Sequence, residues 1–559
     1  MLAQKKFYRR DAETRRIVWP VGLRSQSPKR LIFIKKAWIL VTLRLCVSAV
    51  IAASLACGSK PTDPRTVIPR DALVYLETND LGKTLAAMTD NPKFQQLAKT
   101  KPDLSVLNGV KLSVAVTGFE ATEQPVTEEN SVIGWQPKLV AVAETNAWGW
   151  QTKSFVENQL GEFVNELYDG AIELEITSRK DGEFYVWTSP EGRKAYALQQ
   201  GSLVFFGNDE SAIERCQAVK RGEAESIAKN PKITDGERIA FGYVSPEGVG
   251  QIANITGIWL AMGASEEDEV KSFIARVLPE ILRNTIREVT WTAATSDGII
   301  EDKFIISLDD ESSRVFNETI VPGQGVGTGL ESFIPADAAV STRYRLRDPQ
   351  IAWRSILLTS QKKTDETSGA LIAAFSSSIF ESYGVEEPEM FLSAIGREML
   401  TVRVGADSDD VAVIAAAKDA ALLRRAIAKE IKLGASPEKQ FGVDVWKSED
   451  GEQAVAFSGE TIVLGSTAVV LKCLEAKNGP APSNLVRELT SSDAVAVTVA
   501  SEDAAPGKLI AVLSEPRDDV GRVALSYKTE TRFNKNGIER RTTSDFGLIG
   551  SMIERLVPE

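Results

Sequence analysis

The chain contains no histidine in 559 residues. That absence removes the usual general base near neutral pH and the commonest metal ligand. Ser-His-Asp and Cys-His nucleophilic systems go with it, as do zinc sites that use histidine. Cysteine is almost as scarce. Cys46, Cys57, Cys216 and Cys473 are the only four, and none forms a CxxC, so no zinc or dithiol redox motif is present. Basic charge is short in the body. Residues 1–56 hold twelve Lys/Arg against Asp11 and Glu13, which leaves 53 basic and 75 acidic residues downstream, a net of −22. A body so acidic repels phosphate backbones, and nucleic acid is excluded as a partner. With 43% hydrophobic and 25% charged residues, the composition fits a folded globular chain rather than a polytopic membrane protein. Its length is too great for one ordinary core.

What is present begins with an export-like segment. Ala37 to Ala56 is apolar except for Arg44 and a few small polar residues, with Lys35 and Lys36 before it and Cys57-Gly58-Ser59 after it. The segment resembles a bacterial lipoprotein signal, in which Cys57 would receive lipid. Ser54-x-Ala56 also suits ordinary signal-peptidase cleavage. A third reading is an uncleaved anchor, because 20 apolar residues can span a bilayer, although Arg44 makes this costly. A buried core helix is the fourth. The basic leader is longer than a normal n-region, which points to a start near Val41.

Beyond the signal, one stretch occurs twice. Phe184 to Gly222 is echoed by Val443 to Gly479, with Trp187 matching Trp446, Gly192 matching Gly451, Gly207 matching Gly465 and Cys216 matching Cys473. Ile68-Pro69-Arg70-Asp71-Ala72 is echoed by Ile334-Pro335-Ala336-Asp337-Ala338. Self-similarity of this kind marks a duplicated unit. Within each copy the pattern predicts a strand, a helix capped by Asn79 or Asp80 (Asp348 in the second), two strands, an amphipathic helix, three further strands and the cysteine helix. The amphipathic helix of the first copy has Phe155, Val156, Leu160, Phe163 and Val164 as its apolar stripe; its partner runs from Asp419 to Ile431. Asp297-Gly298 and Asn536-Gly537 predict closing hairpins.

The fold class expected is therefore α+β: a tandem duplication of one module of mostly antiparallel sheet with packed helices, pseudo-twofold. The domain organisation expected is a basic leader and signal or anchor segment over 1–56, a tether over 57–66, a first module over 67–320 with a helical insertion at 265–286, a Gly-rich linker over 321–332, and a second module over 333–559. Pro279 should kink the insertion.

The remaining motifs carry little chemistry. Val321 to Gly329 completes no phosphate-binding pattern and reads as linker. Ser360-x-x-Lys363 and Ser436-x-x-Lys439 fit a nucleophile pattern without its companion elements, in segments that read as loops. Asp407, Asp409 and Asp410 read as a solvated turn rather than a calcium loop. Cys216 and Cys473 read as small buried hydrophobes or as a pair bridging the modules. Trp187 and Trp446 alternate with apolar residues and belong to the core. Trp148 and Trp150, which follow a strand and precede a helix, have no counterpart in the second copy. They are the candidate ligand-binding residues, an exposed aromatic lip.

The motifs Pro335-Ala336-Asp337-Ala338, Gly442-Val443-Asp444-Val445-Trp446, Ala454-Val455-Ala456 and Gly459 to Gly465 resemble those of a bacterial family known as "domain of unknown function 3352". The first copy departs from the pattern at Gly182 to Trp187, where an extra residue intervenes. The resemblance implies a bacterial envelope protein and brings no activity. The reading is a non-enzymatic cell-envelope lipoprotein that acts as a binding or scaffold protein. It is held at the membrane through its N-terminal lipid or anchor, with the body in the periplasm or outside the cell. Its partner is an envelope protein or an apolar ligand, and no cofactor or metal is implied. The alternatives are a periplasmic carrier of lipid or another apolar ligand, and a carboxylate-based hydrolase.

Overall fold

The computed structural model describes residues 61–556 apart from 126–130, 169, 171, 263–268, 297, 325–328, 377, 382, 406–409, 435, 480–482, 505–506 and 518–522. Cys46, Cys57, the signal segment, Asp407 and Asp409 lie outside the described residues.

Among the described residues, twenty strands form one antiparallel sheet, with helices on both faces. In the first half these are β1 (Val74–Thr78), β2 (Lys111–Pro125), β3 (Ser131–Glu144), β4 (Glu173–Arg179), β5 (Gly182–Thr188), β6 (Lys194–Gln200), β7 (Leu203–Gly207), β8 (Ala240–Val244), β9 (Ile286–Ser296) and β10 (Ile299–Leu308). In the second half they are β11 (Val340–Arg345), β12 (Ile395–Arg403), β13 (Val411–Ala417), β14 (Glu438–Gln440), β15 (Val443–Lys447), β16 (Gln453–Ser458), β17 (Thr461–Ser466), β18 (Ala496–Ala504), β19 (Val523–Asn534) and β20 (Gly537–Ser544). The first half pairs in the order β4-β5-β6-β7-β3-β2-β1-β8-β9-β10. The second pairs in the order β14-β15-β16-β17-β13-β12-β11-β18-β19-β20. β10 and β20 join the halves at the centre.

Residues that alternate along a strand point to opposite faces. One face of the first half buries Tyr75, Phe184, Leu198 and Phe205 beneath the Glu210–Lys220 helix with its Cys216. The other buries Tyr185, Trp187, Ala197 and Val204 beneath residues 149–168. Both faces of β5 are covered, so its run Phe184-Tyr185-Val186-Trp187 is apolar throughout. In the second half Val445, Ala454 and Val463 pack under the Thr467–Ala476 helix with Cys473, and Trp446, Val455 and Leu464 face the opposite side. Trp187 and Trp446 are thus core residues, as expected. Gly207 and Gly465 close β7 and β17 where a Cβ would lie 2.3 Å from Leu139 O and 2.2 Å from Val411 O, so only glycine fits.

Two further cores are built from both halves. One joins Met88, Phe94 and Trp291 to Leu509, Ile510 and Phe546; the other joins Phe316 and Ile320 to Ala352 and Val495. Asn91, fully buried, donates to Gly298 O and Asp545 O at 2.8 Å each and pins the two hairpin ends together. The halves are not beads on a string.

Several expected boundaries move. The tether ends earlier than residue 66, because Asp63 caps a 3-10 turn over Pro64–Thr66 and Arg65 pairs with Asp63 and Asp235. At the far end of the expected linker, Leu330–Phe333 is a 3-10 turn whose Leu330 and Phe333 are buried in the core. Within 265–286 the expected helix is Glu269–Thr285; it packs on Pro246–Met262, whose Gly257 lets the Pro279 ring approach where a Cβ would lie 2.3 Å from it. The helix expected over Asp419–Ile431 stops at Ala426. Ile427 and Ile431 instead make bridges to Val385 and Ser448.

Candidate interaction surface

The site grows from the end of β3. Glu144 is buried, and its carboxylate accepts from the Thr62 N–H and the Asn146 N–H, each at 3.0 Å. Asn146 takes a left-handed conformation, φ 55°, and its Nδ2 donates to Gly109 O at 2.7 Å. Asparagine tolerates this region better than most side chains. The turn delivers Trp148 to the N-cap of the Gly149–Phe155 helix, where its N–H donates to Gln151 Oε1 at 3.0 Å. Gln199 Nε2 donates to Gly149 O at 3.3 Å and fixes the start of the helix over the β6–β7 turn.

The helix continues through a π-turn at Val156–Leu160 into Gly161–Leu167. Residues eight apart in an α-helix are offset by about 80° around the axis; the wider π-turn takes most of that back. Phe155 and Phe163 therefore fall on one line. They were expected in the buried stripe, but both are exposed, and Val156, Val164 and Tyr168 take the sheet-facing positions. Phe163 keeps an edge contact with Phe206, ring centroids 6.2 Å apart.

Trp148 is 39% exposed and Trp150 68%, the highest value for any large apolar side chain among the described residues. Both side chains are exposed to solvent. Trp135, Phe155, Phe163, Leu167, Leu174 and Ile176 are exposed as well, so half of the sixteen exposed large apolar residues fall between 135 and 176. Leu174 and Ile176 lie opposite Trp187 and Tyr185 in the β4–β5 register, hence on the helix-covered face. Between these apolar positions the helix shows Asn158 and Asn165 to solvent, with Glu162 and Glu166 beside them. Burial, and then the Glu162 carboxylate, push Glu166 upward.

The same place in the second half is closed. Residues 346–394 connect β11 to β12, whereas β1 and β2 are joined by the shorter 79–110. The longer connection contributes the Pro388–Ala394 helix, whose Phe391 and Leu392 bury against Val413, Trp446, Val455 and Leu464. Arg424 adds a guanidinium 5.1 Å from the Trp446 ring and 4.3 Å from the Phe457 ring.

Other candidates resolve into structural roles. Ser360 lies in the Pro349–Lys362 helix, not a loop, and Lys363 Nζ pairs with Asp309 Oδ1 at 2.9 Å. The two cysteines are free and occupy separate cores, so they form no bridge; burial pushes each thiol up to about 12. A thiol held so far from its thiolate is a poor nucleophile. Asp302 is buried with no cation on it. Burial raises its pKa against hydrogen bonds from Trp291 Nε1 and the Leu548 N–H, both 2.8 Å. Glu77 pairs with Arg238 at 2.7 Å and accepts from the Tyr75 hydroxyl at 2.7 Å. Among the described residues, no group of three or more His, Cys, Asp or Glu is placed to hold a metal ion.

Two depressions are the best formed among the described residues. One, of about 450 Å³, is lined by Arg70, Asp71, Ala224 and Glu225. The other, of about 420 Å³, is bordered by Phe441, Ser458 and Lys477. Both are open, and neither lies between the halves. Phe441 takes φ 51° in the tight β14–β15 turn and is half-exposed. No helix among the described residues is long and apolar enough to cross a membrane.

No family model matches this chain, and no curated protein matches it. Among solved structures it is similar to one titled "Structure of crystal form IV of TP0453", at 11% identity over 41% of this chain and 100% of that one, with a TM-score of 0.18. A likeness of that size carries no argument about fold or function.

Proposed function

We propose that this chain is a non-enzymatic binding or scaffold protein of the bacterial envelope, tethered to a membrane by lipid on Cys57 or by the 37–56 segment. In this reading its body is one module built twice. The identical strand order of β1–β10 and β11–β20 supports the duplication. The likeness to the envelope family named above belongs to the same proposal.

The observation that carries the tethered reading is the position of Thr62. Its N–H donates to Glu144, four residues before Trp148 and six before Trp150, so the segment from Cys57 joins the body at the β3 end that leads into the two exposed tryptophans. The test is radiolabelled palmitate incorporation and membrane fractionation of the full chain, beside Cys57→Ala. Label lost in the variant supports lipidation; membrane retention without label supports an uncleaved anchor. Recovery of the unlabelled wild-type chain in the soluble fraction would overturn the tether. Native mass spectrometry of the same preparation bears on the carrier alternative, which requires co-purifying lipid. Turnover on a hydrolase panel, lost on changing one carboxylate, would overturn the non-enzymatic reading.

A further inference from the structure

We infer that Trp148 and Trp150 dock on the bilayer itself, giving the tethered body a second hold on the membrane. The inference rests on the tether proposed above and names what the lip touches. Cys57 and Thr62 are five residues apart, and an extended chain of that length spans at most about 18 Å. Thr62 is fixed to Glu144. A lipid on Cys57 therefore holds this end of β3 near the headgroups, and the exposed apolar residue nearest in sequence to the fixed point is Trp148.

The side chains suit that place. Tryptophan concentrates at membrane interfaces, where an apolar ring and a polar N–H are both satisfied. Trp148 and Trp150 stand at the start of the helix, which the Trp148 N–H to Gln151 bond caps and the Gln199 to Gly149 bond ties to the body. Farther along, the helix shows Asn158 and Asn165 to solvent among the exposed Phe155, Phe163 and Leu167, and those amides resist burial against lipid. The lip is therefore the leading contact, with Phe155, Phe163 and Leu167 exposed on the same stretch behind it. The contact is apolar and aromatic, so salt should not release it.

The experiment places a photo-crosslinking amino acid, p-benzoylphenylalanine, at Trp150 in the full chain, in its native membrane. A control chain carries it at Leu358, which is 58% exposed and in the other half. Both positions are at the surface, so neither replacement disturbs the core. The expected result is lipid adduct at 150, severalfold above 358 and unchanged in high salt. Membrane-bound protein with no lipid adduct at 150 overturns the docking inference and leaves the tether standing. An adduct at 150 to a protein overturns it in favour of a protein partner. A chain that does not fractionate with membranes overturns tether and docking together.

Discussion

Two regions of this molecule begin from the same sheet and end differently. At one end Tyr185, Trp187 and Val204 are covered by residues 149–168, leaving Phe155, Phe163, Leu174 and Ile176 at solvent. At the other, Trp446, Val455 and Leu464 are covered by the 388–394 and 420–426 helices and by Ile427 and Ile431. The difference lies in the connections. The second half spends a longer β11–β12 segment on its own apolar face, and the first half does not. An apolar face closed from within is a core; one left open beside the point of attachment is available for an outside surface.

The largest expected effect separates the two ends. Trp187→Ala and Trp446→Ala should each cost about 3–5 kcal/mol. Trp187 is fully buried and stacked on Tyr185 with centroids 5.9 Å apart. Hydrogen exchange should show loosening confined to 149–207 in the first variant and to 385–466 in the second. Equal loosening of both ends by either variant would mean they share one cooperative core, and the comparison would fail.

Opening the closed end comes next. Phe391→Ala should cost about 3 kcal/mol and expose Trp446, which a hydrophobic dye and a red-shifted tryptophan emission would register. The variant should bind more dye than the wild-type chain. No gain would mean that the 388–394 helix is not what closes this face.

Glycine at the matched strand ends gives a smaller effect of unequal size. Gly207→Ala and Gly465→Ala both drive a methyl into a carbonyl oxygen, but Gly465 also has φ +131°. Both should lose about 1–3 kcal/mol in denaturant titrations, Gly465→Ala the more. The reverse order would put the strain in the wrong half.

The smallest effect is electrostatic and specific to the second half. Burial opposes the charge on Glu530, but hydrogen bonds from Lys528 and Arg532 outweigh it and hold the carboxyl at about 2. A depressed folded pKa gives stability above the unfolded value near 4.5 that is lost as pH falls toward 2. Glu530→Gln should lose on the order of 1 kcal/mol at neutral pH and flatten that acid limb. Thermal melts of both proteins from pH 6 to 2 measure it. A parallel acid limb in the variant would assign the loss elsewhere.

Much of the fold was legible because local chemistry wrote it. Asp80, Asp348 and Asp419 read as helix caps, and each accepts from a backbone N–H in its own first turn, at 3.0 Å. The Trp187 and Trp446 strands and the cysteine helices read correctly from apolar alternation. Trp148 and Trp150 stood out because the residues after β13 have no tryptophan to match them. What escaped depends on distance or on turn type. Phe155 and Phe163 fit a buried stripe at α-helical spacing, but Phe155 already faces solvent where the first helix ends and the π-turn sets Phe163 on its line. The 420–426 helix ends early because Ile427 and Ile431 bridge to distant residues. The role of Phe391 depends on which sheet face its helix reaches, and spacing in the chain does not encode that.

The most direct measurement is hydrogen exchange of the full chain, bound to its native membrane and released in detergent. The account predicts that membrane binding protects 145–176 and leaves 385–433 unchanged. Protection of 385–433, or none at 145–176 in membrane-bound protein, would contradict it.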